Sequence, residues 1–97
     1  MEVQKIIEMI CREYGISPDE FNSNFKYGSL PEARQLLCIV LKQSGMSNKE
    51  ICDHTGFSPP RVTISIASAE ILWRKLPYFR QKCDLLKKYL LISENKG

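Results

Sequence analysis

Three times in its first fifty residues the chain writes Ser-x-x-Glu ahead of an apolar stretch with helical spacing: Ser17/Glu20, Ser29/Glu32 and Ser47/Glu50. In such a capping box the serine accepts from a free amide of the first turn and the glutamate reaches back to the serine amide. The glutamate also suits the positive end of the helix dipole. A chain punctuated this way is committed to short helices joined by tight turns. Sustained strand-type alternation is absent. With 97 residues, 43% of them apolar and 26% charged, it builds one domain spanning residues 1–97 around one core.

The spacing predicts five to six helices in an all-α fold. Val3, Ile6, Ile7, Ile10, Cys11 and Tyr14 share one face of a helix over 2–14 that stops at Gly15. Ser17-Pro18-Asp19-Glu20 opens a short helix ending near Phe21 or Asn22, and residues 22–28, polar and aromatic, read as a loop. A third helix starts at Ser29-Leu30-Pro31-Glu32, carries the apolar run Leu36 to Leu41, and ends near Gln43 before Gly45. The fourth runs from Ser47 to about Thr55, with Gly56 after it, and the fifth from Ser58-Pro59-Pro60 to about Lys75. Pro77 starts a sixth, with Phe79, Cys83, Leu86 and Leu90 on one face, fraying after Ile92.

Composition narrows the function classes. The longest apolar run has six residues, against the roughly 20 of a membrane span, and no apolar block of signal-peptide length precedes the domain. A cytoplasmic location with no membrane partner is the expectation. Cys11, Cys38, Cys52 and Cys83 stand 27, 14 and 31 apart, without a Cys-x-x-Cys pair, and His54 is the only histidine. Zinc needs more closely paired ligands. Buried free thiols are expected, with no metal and no cofactor, and His54 as an exposed helix residue. No nucleophile with base and orienter, no carboxylate pair and no Gly-rich phosphate loop occurs, so an enzyme is not expected. Trp73, Tyr78, Phe79 and Tyr89 fall at helical spacing and are assigned to packing rather than to stacking on bases; Lys87-Lys88 is a solvated face. Charge is uneven: five basic and six acidic residues lie in 1–48, nine and five in 49–97, within a net charge of +3. A basic half is compatible with an anionic partner.

One helix start breaks the capping rule. Ser58 stands where a cap belongs, but Arg61 occupies the glutamate position. A cation in the first turn opposes the helix dipole by a few tenths of a kcal/mol, on the order of the effect at exposed sites. Departures from local rules tend to mark functional positions, and on sequence grounds Arg61→Glu is expected to stabilise the helix while removing function.

The segment from Gly45 to Ile64 has helix-turn-helix grammar, placed at about 47–72. Cys52 is the small residue where two helices meet, Gly56 takes positive φ at the turn, and Ile51, Val62 and Ile66 anchor the pair. The polar start of the second helix is then free to meet a DNA groove.

Residues from about Val3 to Leu90 resemble the C-terminal DNA-binding domain of the DnaA-type bacterial replication initiators, in the Trp-repressor-like helical group. The likeness rests on a helix ending in Tyr14-Gly15-Ile16, a short helix to Phe21, a loop, Arg34-Gln35 opening a long apolar helix, Ser47-x-x-Glu50-Ile51, a turn, and a helix with Thr63-Ile64 and Ala67. Ser47-Asn48-Lys49 with Glu50-Ile51 also resembles LuxR-type response-regulator helices. The wider resemblance implies binding to double-stranded DNA, with Lys26, Arg34, Gln35, Lys42 and Thr63 matching family contact positions. With Lys49 added, Lys26, Arg34, Gln35 and Lys42 are expected to hold phosphates, and Arg61, Thr63 and either Ser58 or Ser65 to reach base edges. Three departures limit what carries over. The family's Gly-Arg-Asp-His is replaced by Phe57-Ser58-Pro59-Pro60-Arg61, so its origin sequence specificity is not expected. Its basic loop is reduced to Asn24-Phe25-Lys26-Tyr27-Gly28. Its nucleotide-binding module has no counterpart in this sequence, so a stand-alone transcription- or replication-related protein is expected. The rival is a helical protein-interaction module that kept the fold and lost DNA, favoured by the weak loop and by two prolines where groove-facing amides would lie.

Overall fold

A computed structural model of the chain describes the backbone of residues 3–96 and the side chains of residues 3–91. Its six helices are α1 Val3–Tyr14, α2 Pro18–Asn22, α3 Leu30–Gln43, α4 Asn48–Thr55, α5 Pro59–Lys75 and α6 Pro77–Lys96. No strand occurs among the described residues.

The run that drew attention in the sequence, Leu36 to Leu41, makes α3 the hub. Every one of these six side chains is buried, so the middle of the helix is enclosed on all sides. A helix apolar all round belongs in a core. Around it stand α1, α5 and α6, with α2 and α4 filling the ends. α1 contributes Val3, Ile6, Ile7, Ile10 and Cys11. α5 contributes Val62, Ser65, Ile66 and Ala69, and α6 contributes Phe79, Cys83, Leu86 and Leu90. The radius of gyration is 12.4 Å. That is about the value expected of one compact domain of this length.

Turn chemistry does what it must. At Gly45, φ of 106° lets Met46 N–H bond Leu41 O at 3.1 Å and Gly45 N–H bond Lys42 O at 3.1 Å. This closes α3 in a Schellman motif and drops Met46 into the core. α5 and α6 are separated by one residue. Pro77 pushes Leu76 out of the α region, to φ −117° and ψ 106°, and the chain turns there. Arg80 then donates to the carbonyls of Trp73 and Arg74 at 3.0 and 3.4 Å, occupying the end of α5.

Two expectations need correction. The backbone of α6 continues to Lys96 rather than fraying after Ile92. Ser29 does not form a capping box: its side chain makes no cap bond, at φ −89° and ψ 2°. Glu32, its intended partner, instead accepts from the Tyr14 hydroxyl and, at 2.9 Å, from the Tyr78 hydroxyl. A carboxylate able to join α1, α3 and α6 is used for that, and α3 begins from a turn in which Leu30 N–H bonds Tyr27 O. The boxes at Ser17/Glu20 and Ser47/Glu50 form completely.

The cysteines are free, with Cys11, Cys38 and Cys83 buried and Cys52 half-buried. Burial pushes the Cys38 thiol up to about 12 and the Cys83 thiol up to about 11. Neither has the thiolate character that reactivity needs. His54 is exposed in the last turn of α4. Phe79 is buried, Trp73 and Tyr89 are half-buried against the core, and Tyr78 is exposed apart from its bond to Glu32. No described helix is long and apolar enough to cross a membrane.

Candidate nucleic-acid interface

α4 and α5 are joined by residues 56–58. Gly56, at φ 79°, ends α4 in a left-handed cap, its N–H bonding Cys52 O at 2.8 Å. Phe57 follows and turns inward, 4% exposed, against Phe21 with ring centroids 5.7 Å apart. Ser58 then starts α5 by accepting from Arg61 N–H at 3.4 Å.

Beside this turn lies a groove of about 630 Å³, bounded by the loop after α2, the first turns of α3 and the first turns of α5. Of the nine residues named from the sequence, it brings together Lys26, Arg34, Gln35, Ser58, Arg61 and Ser65, with Asn24, Pro31 and Ile64. Three of these lining residues are cationic and none is Asp or Glu. The groove is a place where positive charge is left without a carboxylate.

The groups are not equally available. Arg34 is 3% exposed. Its Nε donates to Phe21 O at 2.9 Å, Nη1 to Phe25 O, and Nη2 to Glu20 O and Ser23 O, both at 2.9 Å. The assignment of Arg34 to a phosphate is therefore corrected: its donors are spent on four carbonyls of α2 and the loop after it. Burial lowers its affinity for a proton, and the nearby Arg61 charge lowers it further, yet arginine stays charged in proteins. Ser65 is corrected likewise. It lies on the inner face of α5 with Val62, Ile66 and Ala69, 8% exposed. It cannot reach a base edge.

Arg61 is half-buried and held. Its Nη2 donates to Ser23 O at 2.7 Å, and its guanidinium carbon lies 4.8 Å from the centre of the Phe57 ring. That is why an arginine, and not a glutamate, occupies this turn of α5. The expectation that Arg61→Glu would be stabilising omitted both contacts. Lys26 is exposed and Gln35 half-buried at the groove wall.

Lys42, Lys49 and Thr63 lie elsewhere. Lys42 is exposed and donates to Asn48 Oδ1 at 2.9 Å, beside a second, smaller groove that also holds Glu70, Trp73 and Arg74. Lys49 is exposed in the first turn of α4, and Thr63 on the outer face of α5. That outer face is apolar to a degree the sequence reading missed. Ile64 is 65% and Ile71 48% exposed, with Pro60 one turn before Ile64 and Ala67 between the two also exposed. The signal was there, as a second 3-4 stripe opposite the buried one. Phe25 and Tyr27, 58% and 55% exposed at the loop tip, were also passed over. No group of three or more His, Cys, Asp or Glu able to hold a metal occurs among the described residues.

Comparison with known proteins adds no relative: no family model, no curated protein and no solved structure matches the chain.

Proposed function

We propose that the chain binds double-stranded DNA, with α4 and α5 as a helix-turn-helix and α5 as the helix offered to the duplex. The observation that carries this reading is the acid-free groove at the start of α5, where Lys26, Gln35, Ser58 and Arg61 converge. Phosphate contacts set register, and uncompensated cations beside a helix start are the chemistry such contacts use. The basic second half of the chain and the resemblance to DnaA-type C-terminal domains support the same reading. Such a protein acts in a bacterial cytoplasm, as a stand-alone transcription- or replication-related factor. Base contact falls to Thr63 and Ser58, with Ile64 placed for thymine methyl groups.

One observation favours a protein-interaction module instead. The face of α5 that would enter the groove exposes Ile64 and Ile71, and Glu70 stands exposed beside them. Titration of random-sequence duplex DNA at several salt concentrations separates the two. Duplex binding should weaken linearly in log salt, by about 0.9 per phosphate held, and Lys26→Ala should flatten that slope by about one such step. Absence of binding at the lowest salt overturns the DNA reading and leaves the interaction module.

A further inference from the structure

We infer that Phe25, at the tip of the loop between α2 and α3, is a stacking platform for a nucleobase; the inference rests on the DNA reading and deepens it. The loop carries two large aromatic rings that the core does not take. Phe25 and Tyr27 are 58% and 55% exposed, their centroids 5.6 Å apart and their planes tilted by 39°. Lys26, between them, lines the acid-free groove. The aromatic pair thus flanks, along the chain, one of the cations of that groove.

The tip is held in this posture at evident cost. Arg34, a buried cation, donates to Phe25 O as well as to the carbonyls of Glu20, Phe21 and Ser23. Arg61 holds Ser23 O from the α5 side at 2.7 Å. Ser23 Oγ accepts from Phe25 N–H at 3.2 Å, and the Tyr27 hydroxyl donates to Glu20 Oε2 at 2.9 Å. Buried charge is expensive to maintain, and an apolar group of similar size often serves stability as well. Here the charge fixes a loop whose outermost groups are apolar rings in water. Tyr27, tethered through its hydroxyl, is a positioning residue behind Phe25, whose ring has no polar atom to satisfy. A flat ring on a loop whose backbone is fixed, next to the groove cation Lys26, suits base stacking, which any base can enter because every base has a π-face. The base can come from a duplex step opened by the ring or from an already unpaired nucleotide.

The experiment uses the full chain and three probes carrying 2-aminopurine at one position: a random-sequence duplex, the same duplex with that base unpaired, and the single strand. Phe25→Ala is expected to lose roughly 5- to 100-fold in affinity on the probe that supplies the base, with the 2-aminopurine signal of wild type lost. Its salt slope should not change, because no charge is removed; Lys26→Ala should change the slope instead. Phe25→Trp should retain affinity and signal, whereas Phe25→Leu, apolar but without a π-face, should fall with Phe25→Ala. A loss on the fully paired duplex assigns insertion at a base step, and a loss confined to the other probes assigns an unpaired base. Wild-type binding undiminished in Phe25→Ala overturns the platform while leaving the DNA reading intact. Phe25→Leu binding like wild type also overturns it, since the ring is then only an apolar contact. If wild type binds none of the three probes, the DNA reading itself fails, and aromatic rings on a fixed loop belong to a protein contact.

Discussion

The guanidinium groups of Arg34 and Arg61 meet on one acceptor, the carbonyl oxygen of Ser23, at 2.9 and 2.7 Å. A carbonyl has two lone pairs and can serve both. Two like charges brought together without a carboxylate among the groove-lining residues repel, and the arrangement survives because each cation is also satisfied elsewhere, Arg34 by three further carbonyls and Arg61 by the Phe57 ring. Through this one oxygen the loop is tied to α3 and α5 together. The start of α5, the start of α3 and the loop therefore behave as a single unit.

Arg34 should accordingly be worth more to folding than to binding. Arg34→Ala removes a donor from four carbonyls, of which Ser23 O keeps Arg61 and Glu20 O keeps the Ser23 amide, and we expect a loss of about 2 to 4 kcal/mol by denaturant unfolding. Arg34→Lys should recover less than half, because an ammonium lacks the planar fork that spans four acceptors. A lysine variant as stable as wild type would show that the fork geometry is not needed.

Arg61→Glu is expected to melt lower than wild type. The new carboxylate could complete a box with Ser58 and favour the helix dipole, which returns about 0.3 to 1 kcal/mol. Against this stand the lost bond to Ser23 O and the lost cation–π contact, together about 2 kcal/mol at a half-buried site. A net loss of about 1 kcal/mol follows for the glutamate variant, and about 2 kcal/mol for Arg61→Ala, which loses both contacts and gains no cap. Calorimetry showing a raised melting temperature for the glutamate variant would mean that the two contacts carry little.

The contrast between these arginines and the helices around them marks what the sequence made legible. The six helices, the core run Leu36 to Leu41, the buried thiols and the turn at Gly56 all follow from local rules: apolar spacing, capping residues, and glycine where φ is positive. The groove was foreshadowed too, since six of its lining residues had been singled out. What local rules could not reveal was the direction in which long polar side chains turn. Arg34 and Arg61 face carbonyls up to 14 and 38 residues away in the chain, and Glu32 leaves its capping role for Tyr14 and Tyr78. Such pairings depend on how elements dock, not on the spacing within any one of them. Ser65 misled for a simpler reason: in α5 it sits between Val62 and Ile66 on the buried face, and its polarity alone had suggested the other.

Gly56 offers a test of the turn that is independent of any charge. An added Cβ would meet nothing within 4 Å, so the penalty of substitution is backbone strain alone at φ 79°. Gly56→Ala should cost about 1 to 2 kcal/mol, and Gly56→Asn less, because asparagine tolerates the left-handed region. Equal losses for the two variants in urea unfolding would point to a steric cause instead.

The Tyr14–Glu32 pair ties stability to alkaline pH. Burial raises the Tyr14 phenol well above its ordinary 10.0, and its bond to the Glu32 carboxylate raises it further. The bond to Glu32, followed by burial, raises the Tyr78 phenol in the same direction. A phenol whose folded pKa lies above its unfolded one holds its proton more tightly when folded. Its contribution is fully present below the unfolded value and is lost progressively as pH rises beyond it. At neutral pH, Tyr14→Phe should therefore be less stable than wild type, by about 1 kcal/mol after allowance for its partial exposure to water. Above pH 10.0 the unfolded wild-type chain sheds the Tyr14 proton while the folded one keeps it, so the advantage of tyrosine over phenylalanine should shrink with each further rise. Denaturant curves of the two proteins at neutral pH and on the alkaline side of that value check the sign. A gap that widens with pH would place the folded Tyr14 pKa below the unfolded one, and the phenol would then not be the donor to Glu32.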